Sequence, residues 1–110
     1  MEKYIIDNQV AVLYSSGFGS GWYTWNREYP ELMFDVPLVK YLLSDRTSAT
    51  RTEVIAYLEE KYPGIYIGSN FDDLRVFWVD KGDEFRIQEF NGSEVVIVRA
   101  HYPDLSWHVA

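Results

Sequence analysis

Apolar and polar residues recur with two different periods along this chain, and the change of period divides it into three parts. An apolar run at residues 10–15, bounded by small polar residues and glycine, predicts a buried strand. Apolar residues then recur at helical spacing over residues 38–43 and 54–58. From residue 65 onward the period becomes two, which is typical of strands. The pattern therefore predicts a strand, two helices and a final series of strands.

The two predicted helices have recognisable ends. Asp35 precedes Val36-Pro37, so that an N-cap is followed by a proline in the first turn. Thr50 and Glu53 have the spacing of a capping box and predict the start of the second helix. Pro63-Gly64 predicts its end.

The strands expected after the helices give the fold class. They cover residues 65–67, 74–79, 84–90 and 93–100, with a turn at 101–104 and a last edge strand at 107–109. We expect one α+β domain over residues 1–110: an N-terminal strand and glycine loop, two helices, and an antiparallel β-meander with the helices packed on one sheet face. The other face would be free for a partner subunit, and two-fold pairing is the commonest way to cover it.

Asn91-Gly92 is the strongest short hairpin signal in the chain. A two-residue turn there sets Glu89 directly opposite Glu94, and like charges so placed destabilise a sheet. One interpretation is that both side chains splay into solvent near the hairpin tip. The other is that they are compensated by an arginine such as Arg27, by the amine edge of a purine, by a metal ion or by a shared proton.

Residues 15–26, which we call the glycine bend, combine alternating glycines with aromatic side chains. The glycines leave backbone N–H groups unshielded and the rings add flat apolar faces: Gly17, Gly19, Gly21, Trp22, Tyr23 and Trp25. Such a surface suits a phosphorylated base. A tight turn whose rings complete the core is the alternative, and the density of tryptophan and glycine favours a contact surface. The spacing matches neither the dinucleotide fingerprint nor a nucleotide-triphosphatase loop.

The chain resembles a widespread family of small proteins encoded by bacteriophages and prophage-bearing bacteria. The resemblance covers nearly the whole chain and is carried by residues 10–26, Glu28-Tyr29-Pro30 and residues 85–94. Its signature reads VAVLYSxGxGxGWxTWN. We identify this as the family that contains anti-CBASS sponge proteins, which sequester cyclic nucleotide alarm signals so that the host's immune effector is never switched on. The resemblance implies a non-catalytic homo-oligomer, a dimer or tetramer, with nucleotide pockets.

On this interpretation each candidate residue has a role toward the nucleotide. Trp22 or Trp25 stacks on the base, and amides and hydroxyls of the bend hold phosphate. Arg86 is included because the resemblance covers its position, although a mid-strand arginine more often covers sheet surface with its stem. The ligand-binding set is Ser15, Ser16, Gly17, Gly19, Gly21, Trp22, Trp25, Asn26, Arg27, Arg86 and Glu89.

Composition and charge narrow the classes of partner. The chain has 17 acidic and 10 basic residues and a net charge of −7, which disfavours DNA or RNA because a polymer binder normally shows a basic face. The absence of cysteine excludes disulfides and fits a reducing cytoplasm, which is the host cytoplasm if the protein is phage-encoded. No apolar stretch is long enough to span a membrane, and no signal-peptide plan is present, so we expect a soluble protein.

Catalysis and metal binding find weak support, and we expect no cofactor. The only histidines, His101 and His108, flank the last turns, and the nucleophile-elbow spacing is missing near the serines of the bend. Asp72-Asp73 could hold magnesium beside a phosphate, but such a doublet is usually a solvated turn. The alternatives to a nucleotide sponge are an inhibitor that binds a host protein through the aromatic loop and a small phosphoesterase.

Overall fold

The computed structural model describes residues 1–99 and 108–110. Within them the elements are β1 (Ile5–Ile6), β2 (Gln9–Ser15), α1 (Val36–Leu43), α2 (Ser48–Lys61), β3 (Leu74–Asp80), β4 (Glu84–Phe90), β5 (Ser93–Val98) and β6 (His108–Val109). Short 3-10 helices lie at Tyr23–Trp25, Pro30–Met33 and Ser69–Phe71. The expected α+β class is confirmed. In the described ranges neither α-helix combines the length and the apolar character that crossing a bilayer requires.

The strands form two antiparallel sheets of three strands each. One has the order β1-β2-β3 and the other the order β5-β4-β6. β2 pairs with β3 along its whole length, from Gln9 opposite Asp80 to Ser15 opposite Leu74. The predicted meander is therefore divided between the sheets. Among the described strands that follow the helices, β4 and β5 are the pair joined as a hairpin, because β3 pairs with the N-terminal strand and the chain changes sheets at the turn before β4.

Two apolar layers lie on the two faces of β2. On one face, Leu13 packs with Leu38 of α1 and Leu58 of α2. On the other, Val12 packs with Phe85 of β4 in a cluster between the two sheets. β2 is thus buried on both sides, as its continuous apolar run predicted. The second sheet covers the face of the β1-β2-β3 sheet that lies away from the helices, so the free sheet face is instead the outer face of β4 and β5, where Phe90 and Val95 are exposed.

The helix starts agree with the sequence in one case and not in the other. The carboxylate of Asp35 accepts the N–H of Leu38 at 3.0 Å and caps α1, as predicted. α2 is capped instead by Thr47, three positions before the predicted residue. The Thr47 N–H donates to Thr50 Oγ1 at 2.9 Å while the Thr50 N–H donates to Thr47 Oγ1 at 3.1 Å. A threonine therefore fills the capping-box position at which a glutamate was expected.

The strand predicted at residues 65–67 is wrong. The N–H of Tyr66 donates to Asn26 Oδ1 at 2.7 Å, and Asn26 Nδ2 donates back to the Tyr66 carbonyl at 3.2 Å. One asparagine side chain therefore takes the place of a partner strand. The last strand, of two residues, begins at His108. Parts of the prediction lie outside the described residues: the end of the strand predicted over 93–100, the turn at 101–104, His101, and Trp107 at the start of the last predicted strand.

Candidate functional site

The glycine bend surrounds the carboxylate of Glu94, which reaches it from β5. Glu94 Oε1 accepts the backbone N–H of Ser15 at 2.8 Å. Its Oε2 accepts the N–H of Thr24 at 3.0 Å and the Thr24 hydroxyl at 2.6 Å. Glu94 is 1% exposed, so these donors replace water around a buried charge. Two amides of the bend, those of Ser15 and Thr24, therefore hold an anion, and that anion belongs to the protein itself.

The two glutamates of the hairpin stand opposite each other, as the register predicted, but their surroundings differ. Glu89 is exposed and accepts the indole N–H of Trp25 at 2.8 Å, whereas Glu94 is buried. The interpretation in which both side chains splay into solvent is therefore wrong for Glu94. Among the described residues, Arg27 makes no ion pair with either glutamate. Backbone amides and neutral side chains compensate the pair instead.

The tip of the β4–β5 hairpin packs directly against the bend. The N–H of Gly19 donates to the carbonyl of Asn91 at 2.7 Å. Gly19 has φ +112° and Gly92 has φ +86°, a region that L side chains rarely adopt. A Cβ on Gly92 would also collide with the backbone of Ser20. Gly19 is therefore required by its backbone conformation, and Gly92 both by its conformation and by the main chain of the bend that touches it.

The other two glycines of the bend are also in close packing. A Cβ on Gly21 would collide with the Thr24 hydroxyl and come within 3.0 Å of Glu94 Oε2. A Cβ on Gly17 would collide with the carboxylate of Asp73. These glycines therefore make room for internal carboxylates. Their spacing, which predicted a concave phosphate site, is explained by contacts within the chain.

The two tryptophans proposed to stack on a base occupy different places. Trp22 is 0% exposed, and its Nε1 donates to the carbonyl of Leu32 at 3.0 Å. It has no free face for a base in this arrangement. Trp25 is 44% exposed and packs against Tyr66 with ring centroids 5.6 Å apart. Of the two tryptophans, only Trp25 is exposed to solvent.

The remaining polar groups of the bend are used within the fold. Asn26 is buried and binds the Trp22 carbonyl as well as the main chain of Tyr66. The Ser15 hydroxyl donates to the carbonyl of Ser20, and the Ser16 hydroxyl donates to that of Asp73. Neither hydroxyl bonds a histidine in the part of the chain that the structure describes.

Neither candidate arginine forms an ion pair with Glu94 within the described residues. The guanidinium of Arg27 stands over the ring of Tyr23, 5.6 Å from its centroid. Burial lowers the pKa of His108, and the nearby charge of Arg27 lowers it further. Arg86 is the cross-strand partner of Ile97, and alternation along the strand turns it away from the face that carries Phe85.

The outer face of the β4–β5 hairpin carries large exposed apolar side chains next to the bend. Phe18 is 71% exposed, Phe90 72% and Val95 55%. They line a depression of about 340 Å³ together with Gln88, Glu89, Ser93 and Ile97. We call this surface the aromatic face. Phe18 and Phe90 were not among the residues predicted to bind a ligand, although the predicted hairpin register placed Phe90 and Val95 on one face.

A second buried carboxylate ties the two helices together. Asp35 Oδ2 accepts the hydroxyl of Tyr62 at 2.6 Å and that of Tyr57 at 2.8 Å, and Lys61 Nζ lies 3.8 Å away. Burial and the bond to Asp35 raise the pKa of Tyr62, and burial also raises the pKa of Tyr57. Since Asp35 also caps α1, this cluster fixes the start of α1 against the end of α2.

Metal binding gains no support from the carboxylates that the structure describes. Asp72 forms two hydrogen bonds with Arg51, at 3.0 and 3.1 Å, and so is engaged in an ion pair. No group of three His, Cys, Asp or Glu side chains within residues 1–99 and 108–110 is arranged to hold a metal ion.

No protein-family model, curated protein or solved structure matches the chain. The family resemblance therefore rests on the residues quoted for it. Function must be argued from the bend and the aromatic face.

Proposed function

We propose that this protein is a non-catalytic binding protein and that it binds through the aromatic face. One observation carries the proposal: Glu94 fills the glycine bend, while Phe18, Phe90 and Val95 remain exposed around a single depression. Exposed large apolar side chains that lie together mark contact surfaces. Aromatic side chains contribute much of the affinity of protein interfaces.

The partner that this surface fits best is another protein, which the chain would inhibit by covering part of it. Phe18 and Phe90 project from the surface into solvent, as side chains that insert into a partner's pocket do. A non-catalytic role accords with the bend, since the hydroxyls of Ser15 and Ser16 donate to main-chain carbonyls and, among the residues that the structure describes, bond no general base that would activate them as nucleophiles.

Sequestration of a cyclic nucleotide in the host cytoplasm is the second candidate. Strand alternation places Arg86 and Gln88 on the same outer face as Phe90. Two phenylalanine rings for stacking and a guanidinium for phosphate would then lie on one surface. Its depression of about 340 Å³ is within the usual size of small-molecule sites. The nucleotide would then bind at the aromatic face and not in the bend, and two copies of the chain could enclose it there.

Photocrosslinking tests the protein partner. The photoreactive residue p-benzoylphenylalanine is placed at Phe90 or, as a control, at Val109, which is 54% exposed on β6. The protein is then produced in bacterial cells and irradiated. We expect one crosslinked protein from position 90 that is absent from position 109 and is lost when Phe18→Ser is added. Equal crosslinking from both positions contradicts the proposal.

Ligand release tests the nucleotide. The purified protein is mixed with cyclic dinucleotides, cyclic trinucleotides and cyclic ADP-ribose species, washed and denatured, and the released compounds are identified. Intact nucleotide from the wild type, but not from Phe90→Ser or Arg86→Gln, supports sequestration at the aromatic face. A cleaved product contradicts the non-catalytic role. Intact nucleotide that Phe90→Ser retains would place the ligand elsewhere and contradict the assigned surface.

A further inference from the structure

A second depression opens at the outer edge of β3. Its volume is about 350 Å³, and it lies beside the end of α1. β3 is the last strand of its sheet, so this edge has no neighbouring strand among the described residues. We call this depression the arginine pocket, and its lining residues are Tyr14, Leu42, Leu43, Arg46, Leu74, Arg75 and Val76. None of them belongs to the aromatic face.

The arginine pocket is positively charged on a chain whose net charge is −7. Arg46 and Arg75 both line it, and no carboxylate does. Within the described ranges neither arginine forms an ion pair, whereas Arg51 and Arg99 are paired with Asp72 and Glu84. Two like charges facing one cavity without a counter-charge repel each other, and a bound anion removes that cost.

One hydrogen bond orients the guanidinium of the exposed Arg75. Its Nε donates to Ser16 Oγ at 3.0 Å, and the Ser16 hydroxyl donates in turn to the carbonyl of Asp73 at 3.3 Å. The two terminal nitrogens of Arg75 have no hydrogen-bond partner among the residues that the structure describes. An arginine that is bonded through Nε keeps its two terminal nitrogens as a planar pair of donors, the geometry that binds an oxyanion through two parallel bonds.

The remaining lining residues select among oxyanions. Tyr14 is the cross-strand partner of Arg75 and also lines the cavity. A carboxylate has two oxygens and is satisfied by one guanidinium, whereas a phosphate group offers three acceptor oxygens and a charge near −2. Leucine and valine side chains form the rest of the wall, and Leu43 is 48% exposed there. We propose that the arginine pocket binds a phosphate group attached to a small apolar or aromatic group.

Nuclear magnetic resonance tests this directly with phenyl phosphate as the probe. The labelled protein is titrated at constant ionic strength, and the Nε–Hε signals of Arg46 and Arg75 are followed. We expect a saturable shift of both signals. Inorganic phosphate should bind more weakly because it leaves the apolar wall uncovered, and benzoate should also bind more weakly because it has two acceptor oxygens.

Charge-matched variants separate a built site from diffuse attraction. Arg46→Gln and Arg75→Gln should each weaken phenyl phosphate binding about tenfold, since each removes charge-assisted hydrogen bonds. Lys81→Gln removes the same charge from an exposed turn and should leave the affinity unchanged. Backbone amide spectra confirm that each variant is folded. Shifts that grow linearly with phenyl phosphate, or that sodium chloride reproduces, overturn the proposal. An equal loss of affinity in Lys81→Gln also overturns it.

Discussion

The carboxylate of Glu94 accepts the main-chain N–H of Ser15 at 2.8 Å, although 79 positions of sequence separate the two residues. The same side chain binds Thr24 on the far side of the bend. One carboxylate thus joins the end of β2, the glycine bend and the β4–β5 hairpin. The bend keeps its shape because this internal anion holds its amides.

Glu94→Gln should lower the free energy of unfolding by about 2–3 kcal/mol, because an amide cannot replace a charged acceptor of three hydrogen bonds. Urea unfolding measures the change. Glu89→Gln is the matched control, since Glu89 is exposed and bonds only the Trp25 indole in the described structure; its effect should stay within about 0.5 kcal/mol. Equal effects of the two substitutions would show that Glu94 does not hold the bend.

Gly92→Ala should destabilise the protein more than Gly82→Ala does. Both glycines have positive φ, +86° and +91°, so both substitutions carry a backbone strain of about 1 kcal/mol. Only at Gly92 would the new Cβ also meet the backbone of Ser20; nothing lies within 4 Å of the position at Gly82. Such overpacking adds about 1–3 kcal/mol. Thermal unfolding compares the variants, and equal shifts would contradict contact between the hairpin tip and the bend.

Stability should fall at alkaline pH because of the tyrosines around Asp35. Burial, then the hydrogen bond to Asp35, raises the pKa of Tyr62 above its usual value of 10.0. The folded state therefore holds this proton more tightly than the unfolded chain does. The resulting stability is complete below pH 10 and is lost as the pH rises toward the folded-state value.

Tyr62→Phe should therefore flatten the decline of the urea midpoint between about pH 9 and 11. The pKa of Tyr57 is also raised, chiefly by burial, so part of the decline should remain. Tyr66→Phe is the control, because Tyr66 is exposed and does not bond Asp35 in the described structure, and this variant should keep the wild-type slope. An unchanged slope in Tyr62→Phe would refute the coupling between Tyr62 and Asp35.

Ser20→Ala should leave the free energy of unfolding unchanged or raise it by up to about 1 kcal/mol. The Ser20 hydroxyl is buried without a hydrogen-bond partner among the described residues, so its removal ends a desolvation cost. Thr24→Val is the contrasting change at the other side of the bend and should lower stability, because it removes the 2.6 Å bond to Glu94. Destabilisation by Ser20→Ala that equals that of Thr24→Val would show that the Ser20 hydroxyl has a partner.

The local features of the fold could be predicted from the sequence. Asp35 caps α1 through a bond to Leu38, only three residues away, and the Asn91-Gly92 turn fixes which residues of the hairpin pair. β2 was expected to be buried because its apolar run leaves neither face for water. Each of these depends on neighbouring residues or on a single periodicity.

The site depended on contacts that no local pattern encodes. Exposed amides in a glycine-rich stretch indicate an anion, but they do not distinguish an external phosphate from a carboxylate that returns from residue 94. Whether Glu89 or Glu94 is buried depends on where the hairpin tip packs. The bond between Asn26 and the main chain of Tyr66 likewise joins residues 40 positions apart, so no local pattern predicts that a side chain takes the place of a partner strand there. Phe18 was not predicted as a contact residue, because its exposure depends on how Glu94 and the hairpin tip pack into the bend.

Hydrogen exchange of the Ser15 and Thr24 amides in the ligand-free protein reports whether the carboxylate of Glu94 fills the glycine bend. Both N–H groups bond the buried carboxylate of Glu94, so both should be strongly protected in the wild type, and Glu94→Gln should reduce that protection. Exchange of both amides at the rate of an unstructured loop in the wild type would contradict the account. The bend would then be open to an outside ligand.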